Sequence, residues 1–225
     1  EALESMGRMF DCYARASKIH INELAGKFRE ISAEMAALPS KMQVDLLRQE
    51  ANGLELRGHE QADNDDLVGA CEAYEAALPI YRTIGDWRNE ADTLDSLGEV
   101  KIGMDDLAGA CEAYEAALLV YRKNADLLGE ADTLKLLGDL KLRTEDLAGA
   151  CEAYGAALPI YRQINHRLGE ANALTSIGQL CAARGELAAG FRIVAQALHI
   201  QQQIDDQPGC GASHAYLARI AGEAG

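Results

Sequence analysis

Apolar residues recur at helical spacing through most of this chain, and the same arrangement returns at regular intervals. One apolar face is formed by Ala131, Leu134, Leu137, Gly138 and Leu142. A second is formed by Leu107, Ala110, Tyr114, Ala117, Leu118 and Tyr121. Both spacings follow the three-to-four-residue period of a helix with one buried side. Each interval therefore predicts two helices, which would pair as an antiparallel hairpin.

The regularity is visible in the residues themselves as an internal repeat. The block 106–122 is repeated at 146–162 with three substitutions and again at 66–82, and a more diverged copy lies near 186–198. A second block, 90–98, is repeated at 130–138 and 170–178. Residues 50–58 align with it at the same spacing but lack several of its apolar residues. These matches define four repeats: 50–89, 90–129, 130–169 and 170–209. One hairpin cannot cover its own apolar face, so neighbouring repeats are expected to stack into a continuous core.

Acidic pairs and glycines mark the turns between the predicted helices. The pairs Asp105-Asp106 and Glu145-Asp146 stand where a helix N-terminus favours an acceptor and negative charge. Gly129 and Gly169 are expected to supply a flexible turn into the following helix. Small residues, Gly138 among them, are expected where paired helices cross closely.

The repeated residues resemble the tetratricopeptide repeat. Its consensus residues are matched by Leu94, Leu97, Gly98, Ala110, Tyr114 and Ala117. The usual period of that family is about 34 residues, and the longer period here resembles the repeats of kinesin light chains. Lys101 and Lys141 depart from the family by replacing its first-helix tyrosine. The resemblance covers residues 50 to about 222. It implies an all-α, right-handed α-solenoid of antiparallel helix hairpins, and a function in binding protein.

The two ends of the chain are less regular. Residues 1–49 are predicted to form an amphipathic helical segment, either one long helix or a hairpin broken near Asn22 or Gly26. Within it, Pro39 ends one stretch, and Ser40 with Gln43 predicts a capping box that starts a new helix. The segment is expected to cap the first repeat, and the alternatives are a decayed fifth repeat or an oligomerising or partner-docking helix. Residues 210–225 predict a C-terminal capping helix.

Composition narrows the class of protein. With 36 acidic and 21 basic side chains, the net charge is −15, which argues against binding nucleic acid or an anionic membrane surface. No apolar run has the length of a membrane span. Cys71, Cys111 and Cys151 fall at the same place in successive repeats, too far apart in a helical stack for disulfides, and are expected to be small buried thiols. A reducing compartment, the cytoplasm, is predicted.

No motif for catalysis, metal or cofactor binding is found in the sequence, so a non-enzymatic role without cofactors is predicted. Phosphate-binding loops, HExxH, GxSxG and calcium loops are all missing. Cys210 and His214 alone resemble a nucleophile with a base, but they fall at a junction between repeats, where small residues are expected.

The negative charge is concentrated in two neighbouring repeats. Repeats 50–89 and 90–129 each contain nine acidic and three basic side chains, a net −6, whereas 130–169 has a net −1. In the family, the inner face of the stack is lined by first-helix positions. The resemblance therefore implies a partner-binding groove lined by Asn52, Glu55, His59, Asp92, Asp95, Glu99, Asp132, Lys135, Asp139 and Arg143.

Two functions remain open from the sequence. In the first, the repeats form a protein-interaction scaffold whose acidic groove binds a basic peptide, through complementary charge. In the second, they are a regulatory or sensory module of a larger protein, such as a bacterial signalling ATPase or protease. Self-association through the N-terminal helix is a third hypothesis.

Overall fold

The computed structural model describes residues 40–223, and every secondary-structure element in that part of the chain is a helix. The elements are α1 (Ser40–Asp63), α2 (Leu67–Ile84), α3 (Trp87–Gly103), α4 (Leu107–Lys123), α5 (Leu127–Arg143), α6 (Leu147–Gln163), α7 (Arg167–Ala183), α8 (Leu187–Gln203) and α9 (Gln207–Glu223). Ser40 and Gln43, predicted to begin a helix, both lie in the first turn of α1 as described. The hypotheses for residues 1–39 lie outside the described residues.

The chain divides into two compact units after Asp106. The first contains α1 to α3 and the second contains α4 to α9. Within each unit, consecutive helices pack together as antiparallel neighbours. The all-α class built from helix hairpins is therefore confirmed. The limits proposed for repeats and ends (1–49, 50–209 and 210–225) stay a prediction.

Each turn between helices contains one residue with a left-handed backbone. These residues recur at every twentieth position: Asp65, Gly85, Asp105, Ala125, Glu145, Asn165, Gly185 and Asp205, with φ between 55° and 76°. Only two of these residues are glycine, although the left-handed region is unfavourable for residues with a Cβ. The conformation thus comes from the hairpin geometry rather than from glycine.

The residue after each left-handed position lies directly before the first residue of the next helix. Asp66 Oδ1 accepts a hydrogen bond from the Gly69 backbone N–H at 3.1 Å, and Asp146 accepts from Gly149 at 2.9 Å. The acidic pairs therefore divide their roles: Glu145 takes the left-handed turn and Asp146 caps α6. This confirms the predicted use of acids at helix starts.

The prediction that Gly129 and Gly169 form turns is wrong, because both lie inside helices. Helix α5 is capped by Asp126 and α7 by His166, and each cap accepts the N–H of the glycine three residues later. A Cβ at Gly169 would collide with the ring of Tyr161. The glycine is required by close packing of an aromatic ring rather than by a turn.

Helix pairs approach closely where a glycine faces a large side chain. A Cβ at Gly58 would lie 2.5 Å from the Tyr74 ring, and one at Gly138 would collide with the Tyr154 ring. The predicted close crossing at Gly138 is therefore confirmed. In the first unit the adjoining core contains Ala51, Leu54, Ala77, Ile80 and Tyr81. In the second, clusters form around Ala150, Tyr154, Leu180, Ala171, Leu174, Ala197 and Ile200.

The repeated cysteines are more exposed than expected. Cys71 and Cys111 are half-buried and Cys151 is exposed, and each is a free thiol. The Sγ of Cys71 lies 3.6 Å from Oε1 of Glu75, four residues later on the same helix. The prediction of buried thiols is wrong because these residues lie at the margin of the helix interface.

Candidate partner-binding faces of the first helices

We call α1, α3, α5 and α7 the first helices, and α2, α4, α6 and α8 the second helices. In the first unit, Tyr81 on α2 is fully buried, and its hydroxyl reaches two of the predicted groove residues on α1. The single hydroxyl hydrogen is shared between two acceptors, Glu55 Oε2 at 2.6 Å and Asn52 Oδ1 at 3.0 Å. Burial, then Glu55, raises the pKa of Tyr81, and Asp92 on α3 adds to the rise. Tyr81 therefore bonds to the α1 side of this face, and its hydroxyl also senses the charge of Asp92 on the α3 side.

Tyr74, two turns before Tyr81 on α2, makes a similar interaction with α1. Its hydroxyl lies 2.8 Å from Nδ1 of His59, and the two rings meet edge to face. Burial raises the pKa of Tyr74, and the charges of Glu55 and Glu99 raise it further. Two buried tyrosines are thus surrounded by carboxylates from both first helices of the unit.

The structure brings most of the predicted residues of the first unit together. Asn52, His59, Asp92 and Glu99 are exposed, and Glu55 and Asp95 are half-buried on the same two helices. Five of these six residues interact with the hydroxyls of Tyr74 or Tyr81 as described above, and Asp95 lies between Asp92 and Glu99 on α3. We call all six residues the acidic face.

The corresponding residues of the second unit bond to tyrosines as well. Tyr161 donates to Asp132 Oδ1 at 2.6 Å, and Tyr154 donates to Asp139 Oδ1 at 2.6 Å. Burial, with the adjacent aspartate next, raises the pKa of each tyrosine. These carboxylates therefore have a structural role in joining first to second helices.

Asp139 is further neutralised by its own neighbours. Lys135 Nζ lies 2.6 Å from Asp139 Oδ2, and Ser176 on α7 donates to Oδ1 at 3.1 Å. A shallow concavity of about 390 Å³ is lined by Lys135, Asp139, Leu142, Arg143, Ser176 and Gln179. Three of the predicted groove residues, Lys135, Asp139 and Arg143, therefore line one hollow, which contains two cations and one carboxylate. We call these three residues and Asp132 the mixed face.

Sequence reasoning missed the tyrosines as part of these faces. Tyr154 and Asp139 are 15 residues apart, and Tyr161 and Asp132 are 29 apart. Tyr74 with His59, and Tyr81 with Asn52, repeat the same two spacings. This recurrence of a hydroxyl donor and a polar acceptor was a signal available in the sequence.

The residues considered for catalysis are used in the backbone and the core. His214 Nδ1 lies 2.8 Å from the carbonyl oxygen of Cys210, so the imidazole engages the helix backbone. Ser213 between them is buried and donates to Gln201. Among residues 40–223, no group of three or more His, Cys, Asp or Glu side chains could hold a metal ion. No helix in the same range is long and apolar enough to cross a membrane.

Residues 89–163 match the family model of the tetratricopeptide repeat. No curated protein matches the sequence significantly. Among solved structures, the apo form of RapI has a TM-score of 0.69 at 16% identity, over 90% of this chain and 55% of RapI. The nearly identical TPR-like repeats of a putative kinesin light chain from Podosopora anserina give 0.63 at 14% identity, over 79% and 85% of the two chains.

A third similar structure is the Rap conjugation gene regulator of plasmid pLS20 in complex with the Phr* peptide. It has a TM-score of 0.65 at 16% identity, over 82% of this chain and 51% of the regulator. The chain spans about half the length of RapI and of this regulator. The fold is therefore that of tetratricopeptide-like helical repeats, and residues 89–163 match the family model itself. The predicted resemblance to kinesin-light-chain repeats is confirmed in the fold.

Proposed function

We propose that this chain is a non-enzymatic protein-interaction scaffold, working in the cytoplasm, whose acidic face binds a basic segment of a partner. The observation that supports it best is the set of carboxylates around Tyr74 and Tyr81. In addition to burial, Glu55 raises the pKa of both tyrosines, Asp92 raises that of Tyr81 and Glu99 raises that of Tyr74, because each carboxylate adds negative potential near a hydroxyl. A Lys or Arg side chain placed there would relieve this potential.

Three basic side chains of the first unit pair with carboxylates outside the acidic face. Arg48 pairs with Asp86, Arg82 with Glu90, and Lys101 with Glu75. None of these acids belongs to the predicted groove set. These three cations neutralise carboxylates elsewhere in the unit. We expect the acidic face to attract a cationic partner because residues 50–89 and 90–129 each have a net charge of −6, and complementary charge gives on-rate and register.

The mixed face is expected to contact the partner differently. Asp132 and Asp139 accept hydrogen bonds from tyrosines, and Asp139 is also paired with Lys135. We propose that this face contacts polar groups of the partner, with Lys135, Asp139 and Arg143 lining the contact. Reversing charge there is expected to change binding less than reversal on the acidic face.

The similar structures support a peptide or protein as the ligand. The Rap regulator of pLS20 was solved in complex with a peptide, on a fold like that of this chain. A stack of helix hairpins offers an extended surface of this kind. The basic character of the segment is our own proposal from the charges.

Binding to a charge-graded peptide array tests the proposal. The array would carry extended peptides of equal length with net charge from strongly basic to strongly acidic. We expect the wild-type chain to retain basic peptides, and retention to fall steeply as salt is raised. The variant Asp95→Lys with Glu99→Lys is expected to lose this preference, with binding about tenfold weaker or more.

The matched control is Glu112→Lys with Glu115→Lys, which makes the same change in net charge on the second helix α4. It is expected to keep the preference for basic peptides. Equal weakening by both double variants would show a nonspecific effect of net charge. Unchanged binding by the Asp95 and Glu99 variant would overturn the acidic face as the site.

A second candidate is a regulatory module within a larger protein. The comparison of chain lengths favours it, because this chain covers only 55% of RapI and 51% of the pLS20 regulator. The coding sequence on both sides tests it: an in-frame effector domain would support the module, and stop codons at both sides would exclude it. Self-association through the N-terminal segment would appear in light scattering as a mass that rises with concentration.

A further inference from the structure

A cysteine, a glutamate and a lysine meet where a second helix packs against the following first helix. In the first unit, Glu75 Oε1 lies 3.6 Å from Cys71 Sγ and 3.9 Å from Lys101 Nζ. In the second unit, Cys111 Sγ lies 3.6 Å from Glu115 Oε1. Lys141 follows Cys111 at the same interval as Lys101 follows Cys71, so the sequence repeats all three residues.

The next copy of this triplet changes both charged members at once. Gly155 stands at the glutamate position and Cys181 at the lysine position, while Cys151 is retained. Helices α6 and α7, which contain the two cysteines, pack against each other. A Cβ at Gly155 would meet no atom within 4 Å, so the space of the missing carboxylate is open. A second cysteine therefore stands at the position that Lys101 and Lys141 occupy in the earlier copies.

The two thiols differ in environment. Cys151 is exposed, whereas Cys181 is half-buried. Burial raises the pKa of Cys181, Glu186 raises it further, and Cys151 contributes to the same rise. The two cysteines lie on helices that pack together, at the positions where Cys71 and Lys101 both approach the Glu75 carboxylate in the first unit.

We propose that Cys151 and Cys181 form a dithiol that closes to a disulfide when the protein meets a hydroperoxide. The exposed Cys151 sulfur takes one oxygen from the peroxide, which is reduced to water or an alcohol, and becomes a sulfenic acid. The Cys181 sulfur then attacks the Cys151 sulfur and forms the S–S bond. The sulfenic hydroxyl leaves as water with the proton of the Cys181 thiol, so two electrons pass to the peroxide in all.

The order of the two steps follows from exposure and protonation. Access to an oxidant favours the exposed sulfur, and a thiol with a raised pKa is a poor first reactant. Cys181 is therefore the resolving residue. Closure requires the two Cα atoms to come within about 7 Å, which is the geometry that a cross-link would demonstrate.

Peptide mapping of the full chain tests the proposal directly. Trypsin cuts after Lys and Arg, so Cys151 falls in peptide 144–162 and Cys181 in peptide 168–184. After treatment with hydrogen peroxide and blocking of free thiols, we expect these two peptides linked, with the loss of two hydrogens. The free thiols per chain should fall from six to four. Cys111, which has Lys141 rather than a thiol beside it, is the internal control and should remain unlinked.

Two variants separate the proposal from incidental oxidation. Cys181→Ser should abolish the link and leave a sulfenic acid at Cys151 that dimedone traps. Lys141→Cys combined with Glu115→Gly should copy the pair onto Cys111 and create a new link there. Absence of the 144–162 to 168–184 link in a chain with unchanged helical circular dichroism would overturn the proposal. So would a link between chains through Cys151, or an equal yield of links among other cysteines.

Discussion

Tyr161 donates its hydroxyl hydrogen to Oδ1 of Asp132 at 2.6 Å, across the interface of α6 with α5. The ring is buried and the carboxylate is exposed, so one hydrogen bond joins the core to the surface. Tyr154 and Asp139 repeat the relationship along the same two helices. The face proposed to bind a partner is therefore also part of what holds the hairpin together.

Removing the Tyr161 hydroxyl tests that structural role. We expect Tyr161→Phe to lower the free energy of unfolding by about 1–2 kcal/mol, since a hydrogen bond to a charged group is lost while water can still reach Asp132. Urea unfolding measures the change. Asp132→Asn, which keeps an acceptor, should cost less. A Phe variant as stable as the wild type would show that the bond contributes nothing.

The left-handed turns predict opposite effects at two matched positions. Ala125 and Gly85 are both exposed and occupy the same place in the turn, with φ of 55° and 71°. Ala125→Gly should raise the free energy of unfolding by about 0.5–1 kcal/mol by relieving backbone strain. Gly85→Ala should lower it by about 1 kcal/mol, with no steric contribution because the added Cβ meets no atom within 4 Å. Thermal unfolding of the two variants decides; a shift of the same sign in both would contradict the assignment.

Two helical glycines should respond oppositely to alanine. At Gly169 a Cβ would collide with the Tyr161 ring, so Gly169→Ala should cost about 1–3 kcal/mol of stability. At Gly155, exposed inside α6, Gly155→Ala should add about 0.5–1 kcal/mol through helix propensity. Denaturant midpoints provide the measurement. Tolerance of alanine at Gly169 would mean that the ring can move aside at little cost.

Glu50 makes the stability of the first unit depend on pH. Burial raises the pKa of its carboxyl from 4.5 to about 7. Between these values the folded chain holds a proton that the unfolded chain has lost, so this contribution is complete below pH 4.5 and disappears as pH rises through 7. Glu50→Gln should remove it and stabilise the protein at pH 8 by about 1–2 kcal/mol relative to the wild type.

The measurement for Glu50 is the urea midpoint of wild type and variant at pH 5 and pH 8. Glu60→Gln, at an exposed position of the same helix, is the control. The Glu50 variant should lose part of the pH dependence that the Glu60 variant retains. Parallel pH profiles for all three proteins would show that Glu50 titrates normally.

The helices could be predicted from the sequence because their signals are local and repeated. The start of α1 at Ser40 and the cap at Asp146 were legible from residue types within one turn. The roles of Gly129 and Gly169 were not, because glycine serves equally in a turn and beneath an aromatic ring. Distinguishing the two requires knowing that Tyr121 and Tyr161 point at these positions.

The candidate faces could be predicted in part. Periodicity placed Asp132, Lys135 and Asp139 on one side of a helix, and Lys135 and Asp139 do line one hollow. That Asp132 and Asp139 would be engaged by tyrosines depends on how α6 packs on α5, which no local pattern encodes. Similarly, the half-exposed cysteines follow from the width of the helix interface rather than from residue type.

The left-handed residue that recurs at every twentieth position limits how this chain can change in length. Gaining or losing one such interval would preserve the turns but place a tyrosine-bearing helix where a glycine-bearing helix belongs, so the ring of Tyr154 would have no Gly138 to receive it. Gaining or losing two intervals together preserves both the turns and the pairing. Viable length variants of this protein should therefore differ by whole hairpins, and a scaffold of another size can be built by adding or removing them.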